Sequence, residues 1–409
     1  MIDTKRIQQD FPQLKRTING KRIVYLDSTA TSLKPQSVID KENEYYTNYT
    51  ANVFRGIYTT SEEATAAYEH ARVVTAEFIG AQSAEEVIFT RNTSESLNLV
   101  AYSLMGDLLQ NGDHIVTTIL EHHSNFVPWQ QLGMRFGVTV DIWNCSAEGV
   151  LSEKDLERLV TKKTKIVTLT AASNVVGTIP PIVSIVRTVK RLNPDCIVIV
   201  DAAQAAPHMT VDVTAWGADM VAFSSHKMLG PTGIGVLWAK QELLERMRPF
   251  NYGGEMIAEV HTDRTVFKHA PHKFEAGTPH IAGVIGFGAA VEYLMNIGMD
   301  NVRQHEKELV TYAMKKFENV EGLSYLGPKD ADIRGGVFAC MLKGAHPHDI
   351  AQLLNEDNVF IRAGNHCAQP LHEYLKVPAT ARASFYIYTT TEDIDALVDS
   401  IEKVKKLFS

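Results

Sequence analysis

The chain has 409 residues, of which 45% are hydrophobic and 22% charged, and its formal net charge is −8 at pH 7. This length predicts two domains, and the acidic balance gives no electrostatic reason to expect nucleic acid or an anionic membrane as a partner. No apolar run approaches the roughly 20 residues of a transmembrane helix, and the N-terminus lacks the apolar core of a signal peptide. The scattered cysteines contain no CxxC pair, which argues against a disulfide framework and a zinc ribbon. We therefore expect a cytoplasmic protein.

Short apolar runs alternate with amphipathic stretches from about residue 22 to 240. The apolar runs predict strands at Ile23–Leu26, Glu86–Thr90, His114–Thr118, Val138–Trp143, Lys165–Thr170, Cys196–Val200, Met220–Phe223 and Gly235–Trp238. Helical periodicity predicts helices at Ser61–Ile79, Ser94–Leu104, Glu153–Val160 and Ile182–Leu192. Continuous apolar strands separated by helices indicate a largely parallel sheet covered on both faces.

The pattern changes after residue 280, where two long helical stretches follow each other. They are predicted at Ala282–Asn296 and Asn301–Phe317. Strands at Gly335–Leu342 and Val359–Ile361 and a closing helix from Thr391 complete the chain. This order predicts a smaller α/β domain at the C-terminal end.

Two predicted strands end in residues suited to cofactor chemistry. Cys196–Val200 ends at Asp201, and Met220–Phe223 is followed by Ser224, Ser225, His226 and Lys227. Ligands of open parallel sheets lie beyond the carboxyl ends of the strands. Desolvation would lower the pKa of Lys227, as an imine-forming amine requires, and a buried Asp201 would keep a pyridinium nitrogen protonated. A turn or helix cap at Asp201 and a loop lysine are the ordinary alternatives, but the pair favours the functional interpretation.

Three further strand ends carry candidate binding groups. Thr93 and Ser94 offer hydroxyls at a helix N-terminus, which suits a phosphate as well as it suits a plain capping box. His122 and His123 are adjacent and lack metal-ligand spacing, and one of the two imidazoles could stack on a planar cofactor and handle protons. Asn174 could hydrogen-bond a cofactor or substrate, and Ser224 and His226 are suitable phosphate donors.

The C-terminal domain contributes a candidate nucleophile. Cys367 lies in a glycine-containing loop beside a histidine and near Arg362, an environment that favours a nucleophilic cysteine. Cys196 and Cys340 lie within apolar runs and are assigned to the core, and Cys145 is read as structural. Arg382 could bind a substrate carboxylate bidentately, with a surface arginine as the ordinary alternative.

Seven motifs occur in the order of one family: Tyr25-Leu26-Asp27-Ser28, Glu121-His122-His123-Ser124-Asn125, Ser173-Asn174-Val175-Val176-Gly177, Asp201-Ala202-Ala203-Gln204-Ala205, Ser224-Ser225-His226-Lys227, Phe274-Glu275-Ala276-Gly277-Thr278-Pro279 and Arg362-Ala363-Gly364-Asn365-His366-Cys367. Together they resemble the SufS-type (group II) cysteine desulfurases of the class V aminotransferase-like family, over essentially the whole chain. The resemblance implies the pyridoxal-phosphate-dependent transferase fold type I and a homodimer. That fold combines a large domain, containing a mostly parallel seven-stranded sheet, with a smaller α/β domain. We expect these domains at residues 20–290 and at 291–409 with 1–19.

The resemblance also implies a role for each site residue. Lys227 would bind pyridoxal 5′-phosphate covalently, Asp201 would contact its ring nitrogen, Gln204 its ring hydroxyl, and His122 would stack on the ring. The phosphate would bind to Thr93, Ser94, Ser224 and His226, and to Thr278 of the partner subunit. Arg382, assisted by Asn174, would hold the substrate carboxylate, with Arg362 nearby.

The implied reaction converts L-cysteine to L-alanine and leaves its sulfur on Cys367 as a persulfide, for iron–sulfur cluster assembly. Phe54, Ala171 and Asn365 stand where members commonly have histidine, which bears on proton-relay details. Ala368-Gln369-Pro370 is similar to members that use a small zinc-containing sulfur acceptor of the SUF system.

Three alternatives stay open at this point. A selenocysteine lyase or a β-lyase would release its product without Cys367. A papain-like thiol hydrolase would use Cys367 and a histidine but leaves Asp201 and Lys227 unexplained. A catalytically silent scaffold is disfavoured by the presence of all three residues.

Overall fold

The computed structural model describes residues 2–106 and 108–408 of the chain. In chain order, the α-helices of these ranges are α1 (Thr4–Gln9), α2 (Gln36–Asn48), α3 (Thr59–Phe78), α4 (Thr93–Leu104), α5 (Val127–Phe136), α6 (Glu153–Leu159), α7 (Ile182–Leu192), α8 (Val213–Trp216), α9 (Gln241–Arg246), α10 (Ile281–Ile297), α11 (Met299–Phe317), α12 (Pro347–Glu356), α13 (Gln369–Tyr374) and α14 (Thr391–Phe408). The strands are β1 (Thr17–Ile18), β2 (Lys21–Arg22), β3 (Val24–Tyr25), β4 (Val87–Thr90), β5 (His114–Thr118), β6 (Thr139–Trp143), β7 (Thr164–Thr170), β8 (Ile197–Asp201), β9 (Met220–Ser224), β10 (Gly235–Ala239), β11 (Ile257–Val260), β12 (Thr265–Phe267), β13 (Leu323–Tyr325), β14 (Val337–Leu342), β15 (Val359–Phe360), β16 (Arg362–Gly364) and β17 (Thr380–Ser384).

The largest sheet has seven strands in the order β4-β10-β9-β8-β7-β5-β6. Strands β9, β8, β7, β5 and β6 run parallel to one another, and β10 is antiparallel to both of its neighbours. The central strands are buried on both faces, which explains their continuous apolar sequences. The predicted mostly parallel sheet is therefore confirmed, and most predicted element bounds shift by only one or two residues.

Helices α2, α3 and α10 pack together beside this sheet. A Cβ atom added at Gly288 would lie 2.8 Å from the Cβ atom of Ala71, so α3 and α10 approach each other closely only because a glycine stands there. Among the described residues no single helix is long and apolar enough to cross a membrane, although α10 and α11 pass that test as a pair bent by 73°.

A second, four-stranded antiparallel sheet has the order β13-β14-β17-β16 and a hydrophobic core of its own. The prediction that Ile23–Leu26 belongs with the strands of the large sheet is wrong. Strand β3 instead pairs in parallel with β15, and Val24 and Leu26 lie in the core of the second sheet. The N-terminal segment therefore crosses between the two sheets before the large sheet begins. The predicted domain limits stay predictions.

Candidate active site

A cavity of roughly 280 Å³ lies at the carboxyl ends of the parallel strands and is closed on one side by the second sheet. It is lined by Thr29, Ala30, Asn92, Thr93, Ser94, His122, Ser124, Thr170, Ala172, Asn174, Asp201, Ala203, Gln204, Ser224, His226, Lys227, Arg362, His366, Cys367 and Arg382. Every residue predicted for the site is in this set except Thr278. The cavity therefore joins groups from both sheets, as ligand sites of open α/β sheets do.

Lys227 ends a 3₁₀ turn, Ser225–Lys227, that follows β9 directly. The peptide carbonyl just before it, that of His226, accepts hydrogen bonds from Ser32 N (3.0 Å), Thr31 Oγ1 (3.0 Å), Ser32 Oγ (3.1 Å) and Lys34 Nζ (2.9 Å). These donors fix the turn that carries the Lys227 side chain. Burial lowers the pKa of Lys227 to about 8, while the Asp201 carboxylate acts in the opposite direction.

Asp201 is the last residue of β8 and is 3% exposed. Its Oδ1 accepts from Ala203 N at 2.9 Å, and burial raises its pKa. Nearby, Gln204 Nε2 donates to the Thr29 carbonyl at 2.9 Å. Gln204 Oε1 and Thr29 Oγ1 are buried without a hydrogen-bond partner among the described residues. Because buried polar atoms are normally paired, these two atoms indicate a polar ligand in the cavity.

His122 precedes the 3₁₀ turn His123–Asn125, and its Nδ1 accepts from Ser124 N at 3.1 Å. A nitrogen that accepts a backbone N–H carries no proton, so the ring proton lies on Nε2. Burial, reinforced by the charge of Lys227, lowers the pKa of His122 to about 3. The imidazole that lines the cavity is therefore neutral over the physiological pH range.

The cavity contains a group of hydroxyls at the N-terminus of α4. Asn92 caps this helix by accepting from Glu95 N at 2.9 Å, and Thr93 N donates to Ser224 Oγ at 2.8 Å. Strand β10 passes so close that a Cβ atom at Gly235 would lie 2.5 Å from Asn92 Cα. Helix N-terminal N–H groups combined with hydroxyls form a suitable site for a phosphate.

Two arginines project from neighbouring strands of the second sheet. Arg362 on β16 and Arg382 on β17 are register partners, and both contact Asp27. Arg382 is 3% exposed and its Nη1 donates to the Asn174 carbonyl at 3.0 Å. Its Nε is buried without a partner among the described residues, and burial lowers its pKa to about 10.

Cys367 is exposed, whereas the other cysteines are buried. Burial raises the pKa of the Cys145 thiol to about 11 and those of Cys196 and Cys340 to about 12, in agreement with their assignment to the core. His366 and Cys367 have φ angles of +52° and +57°, a left-handed conformation that is costly for residues other than glycine.

The strained segment is tied to the large sheet by three hydrogen bonds. His123 N donates to the Cys367 carbonyl (2.7 Å), Gln369 N donates to His123 Nε2 (3.0 Å), and Asn174 Nδ2 donates to the His366 carbonyl (2.7 Å). These bonds hold the thiol at the cavity. We call the segment Asn365–Gln369 the Cys367 loop.

Thr278 lines a different cavity, together with the segment Phe274–His280 and residues of the β4–α4 connection. A single chain therefore does not bring Thr278 to the predicted phosphate site. Sequence reasoning also gave no role to Asp27, Thr29, Lys34 and His123. Asp27 and Thr29 follow the short strand β3 closely, and Asp201 stands at the end of β8. This shared position at a strand end is the signal that could have found them.

The aminotransferase class-V family matches residues 24–397 of this chain. A relative from Streptomyces coelicolor (strain ATCC BAA-471 / A3(2) / M145) is 49% identical over 413 residues, which cover 100% of this chain and 98% of the relative. One from Halalkalibacterium halodurans is 47% identical, with 100% and 99% covered. Both relatives are named probable cysteine desulfurase.

Solved structures are similar over the same length. The apo structure of a cysteine desulfurase from Thermococcus onnurineus NA1 has a TM-score of 0.93 and 38% identity, covering 99% of this chain and 98% of that one. The cysteine desulfurase CsdA from Escherichia coli has a TM-score of 0.92 and 36% identity, with both chains covered completely.

The chain belongs to the aminotransferase class-V family, and its fold is the predicted fold type I of pyridoxal-phosphate-dependent enzymes. The two relatives described above are named probable cysteine desulfurase, and the two solved structures are named cysteine desulfurase. The predicted family is therefore confirmed.

Proposed function

We propose that this chain is a cysteine desulfurase, which converts L-cysteine to L-alanine and takes up the sulfur on Cys367. The observation that carries the proposal is that one cavity contains Lys227 with Asp201, the buried Arg382, and the exposed Cys367. The Cys367 thiol is near enough to Lys227 to influence the pKa of that amine. A proton-transferring amine, a carboxylate-binding group and a nucleophilic sulfur are the groups that the reaction needs.

The residues of the cavity fit pyridoxal 5′-phosphate. The unpaired Gln204 Oε1 and Thr29 Oγ1 offer hydrogen bonds to a polar ring substituent, and the α4 N-terminus suits a phosphate. Lys227 would hold the cofactor covalently, Asp201 would contact its ring nitrogen, Gln204 its hydroxyl, and His122 would lie on its face. The phosphate would bind to Thr93, Ser94, Ser224 and His226. When bound, the cofactor supplies an electron sink for the bonds that break at the substrate.

The chain's own groups move the protons and hold the substrate. The amine of Lys227 has a pKa of about 8 because it is buried, so it accepts and returns a proton near neutral pH. His122 is neutral and offers its Nε2–H to the cavity. Arg382 has an unpaired Nε and would bind the substrate carboxylate, with Asn174 and Arg362 beside it.

Cys367 receives the sulfur. Its thiolate attacks the sulfur of the substrate, a sulfur–sulfur bond forms, and the carbon–sulfur bond of the substrate breaks. The electron pair of the broken bond remains on the carbon skeleton, and a proton then completes L-alanine. A thiol acceptor must remove the sulfur from the persulfide before the next turnover.

We further propose that the enzyme is of the SufS type and works as a homodimer. The position of Thr278 outside the cavity supports the homodimer, since a partner subunit would supply this residue to the phosphate. The proposed acceptor is a small zinc-containing protein of the SUF system that delivers sulfur to iron–sulfur cluster assembly. The cytoplasmic location stays a prediction.

Mass spectrometry tests the proposed function. The purified chain is exposed briefly to L-cysteine, its peptides are analysed, and alanine is assayed in parallel. We expect one extra sulfur atom on the Cys367 peptide and about one alanine per active site in the first turnover. Unmodified Cys367 with steady sulfide release would instead identify a β-lyase. An acceptor of the proposed type that left the turnover rate unchanged would contradict the partner assignment.

A further inference from the structure

Glu121 is a buried carboxyl group that the proposed reaction does not use. It lies between β5 and the His122–Asn125 segment and is 1% exposed. Its Oε1 accepts hydrogen bonds from Thr118 Oγ1 at 2.5 Å and from Thr170 N at 2.9 Å. Thr118 and Thr170 are the last residues of β5 and β7, which are neighbours in the large sheet. This oxygen therefore joins two strand ends at the edge of the cavity.

The other oxygen joins Glu121 to the turn that follows it. Oε2 accepts from Asn125 Nδ2 at 2.6 Å, and Asn125 ends the 3₁₀ turn His123–Asn125. The amide of Asn125 has a fixed orientation, because its Oδ1 accepts from Trp129 Nε1 at 3.1 Å and from Thr168 Oγ1 at 2.7 Å. An indole N–H can only donate, so the Asn125 amide group that faces Glu121 is the NH₂.

Each oxygen of Glu121 thus faces a group that can only donate, Thr170 N at Oε1 and the Asn125 amide at Oε2. A carboxyl group offers two accepting oxygens, whereas a glutamine amide offers one and would point an N–H at a donor. Burial raises the pKa of Glu121 to about 8, and the hydrogen bonds from Thr118 and Asn125 act in the opposite direction. The surrounding network therefore selects a carboxyl group at this position.

The turn that Glu121 fixes carries two histidines with contacts at the cavity. The imidazole of His122 lines the cavity. His123 N donates to the Cys367 carbonyl at 2.7 Å, and His123 Nε2 accepts from Gln369 N at 3.0 Å. Two of the three hydrogen bonds that tie the Cys367 loop to the large sheet therefore depend on where this turn lies.

We infer, on the basis of the proposed function, that Glu121 is a positioning residue. It aligns the His122–Asn125 turn with the ends of β5 and β7, and it thereby holds the Cys367 loop at the cavity. An amide at position 121 would leave two donors facing each other, and the turn would have to move to separate them. The bonds from His123 to the Cys367 loop would weaken as a result.

The test compares Glu121→Gln with the double variant Glu121→Gln/Asn125→Asp, in the full chain with cofactor bound. The rate of Cys367 alkylation by iodoacetamide is measured at pH 9, above the pKa of Glu121. Glu121→Gln is expected to increase this rate about tenfold, because both bonds from His123 weaken. In the double variant the amide at position 121 donates to the carboxylate at position 125, and every other donor keeps its acceptor. The rate should return to within about twofold of the wild type.

Glu86→Gln is the matched control. Glu86 is 7% exposed and its Oε2 accepts from Trp238 Nε1 at 3.0 Å and from Gln82 N at 3.2 Å, but it precedes β4, at the opposite end of that strand from the cavity. We expect Glu86→Gln to lower the melting temperature and to leave the alkylation rate unchanged.

An unchanged alkylation rate in Glu121→Gln would overturn the positioning role, and so would an increase that the double variant does not reverse. If Glu121→Gln does not fold, Thr118→Val removes one donor from the same oxygen and is expected to increase the rate about threefold. An unchanged rate in Thr118→Val would then overturn the role. Alkylation does not require turnover, so a wild-type chain that forms no alanine would refute the proposed function and leave this result intact.

Discussion

The end of the large sheet and the Cys367 loop face each other across the cavity, and they differ in burial and in backbone conformation. Asp201 is buried, and four hydrogen bonds converge on the carbonyl before Lys227. Cys367 is exposed, and two consecutive residues of its loop have left-handed backbone angles. One region is fixed by its packing, and the other is held in a strained conformation by a few hydrogen bonds.

This difference matches the two tasks of the proposed reaction. Proton transfer at the substrate requires an amine held in one orientation with a lowered pKa. The nucleophile has to reach the substrate and afterwards present its sulfur to an acceptor, which requires a segment that can leave its position. The division predicts that changes in each region have separable effects.

The largest effect is expected for Cys367→Ala. This variant loses alanine formation completely, because no other exposed cysteine occurs among the described residues. The variant is expected to retain the bound cofactor, since the groups that would hold the cofactor lie at the end of the large sheet. The absorbance spectrum of the variant checks this. Cys145→Ala is the control and is expected to form alanine. Undiminished persulfide formation in Cys367→Ala would refute the role of this residue.

The lowered pKa of Lys227 can be measured directly in the cofactor-free chain. Burial lowers this pKa to about 8, so the neutral, reactive amine is already present near pH 8 and is lost as the pH falls below that value. Competitive labelling with acetic anhydride should give a midpoint near 8 for the Lys227 peptide. Lys41 serves as the control, because its hydrogen bond to Glu44 raises its pKa above the ordinary 10.5. If the labelling curves of the Lys227 and Lys41 peptides coincided, the pKa values of the two amines would be equal, which would contradict the lowered pKa of Lys227.

A smaller effect is expected when the turn before Lys227 loses one of its anchors. Lys34→Met removes the amine that donates to the His226 carbonyl at 2.9 Å and to the Ser32 carbonyl at 2.6 Å. Loss of these two hydrogen bonds should lower kcat about tenfold. Lys34→Arg restores a donor and should recover most of the rate. Equal rates for the Met and Arg variants would contradict a positioning role.

The smallest effect is expected at the bonds that hold the Cys367 loop. His123→Ala removes the acceptor of Gln369 N but keeps the backbone bond to the Cys367 carbonyl. Loss of about 1 kcal/mol should increase the population of the released loop about fivefold. The rate of Cys367 alkylation by iodoacetamide measures this population, with His70→Ala as an exposed control. A slower alkylation rate in His123→Ala would contradict the holding role.

The sequence predicted the large sheet and most of the site because both depend on local patterns. Wholly apolar runs such as Met220–Phe223 identify strands that are buried on both faces, and the polar residues that follow them meet at one edge. Strand β17 was missed because Thr380–Ser384 consists of small and polar residues around an arginine, and burial of such a strand depends on its neighbours in the fold.

Contacts between distant segments could not be predicted in this way. The pairing of β3 with β15 and the bridge from Asp27 to Arg362 and Arg382 join residues more than 330 positions apart. The same holds for His123, whose bonds to the Cys367 loop arise only when the two sheets pack together. Motif order indicates which residues share a site, but it does not give their contacts.

The separation of the proton-transferring end of the large sheet from the Cys367 loop is tested by exchange of the α-proton of L-cysteine with solvent deuterium. NMR follows this exchange in Lys227→Ala and in Cys367→Ala. Neither variant is expected to form alanine. We expect Cys367→Ala to exchange the proton rapidly, because its proton-transferring region is intact. Lys227→Ala should exchange it at least about a thousandfold more slowly. Exchange that disappears in Cys367→Ala, or that persists in Lys227→Ala, would contradict the separation of the two regions.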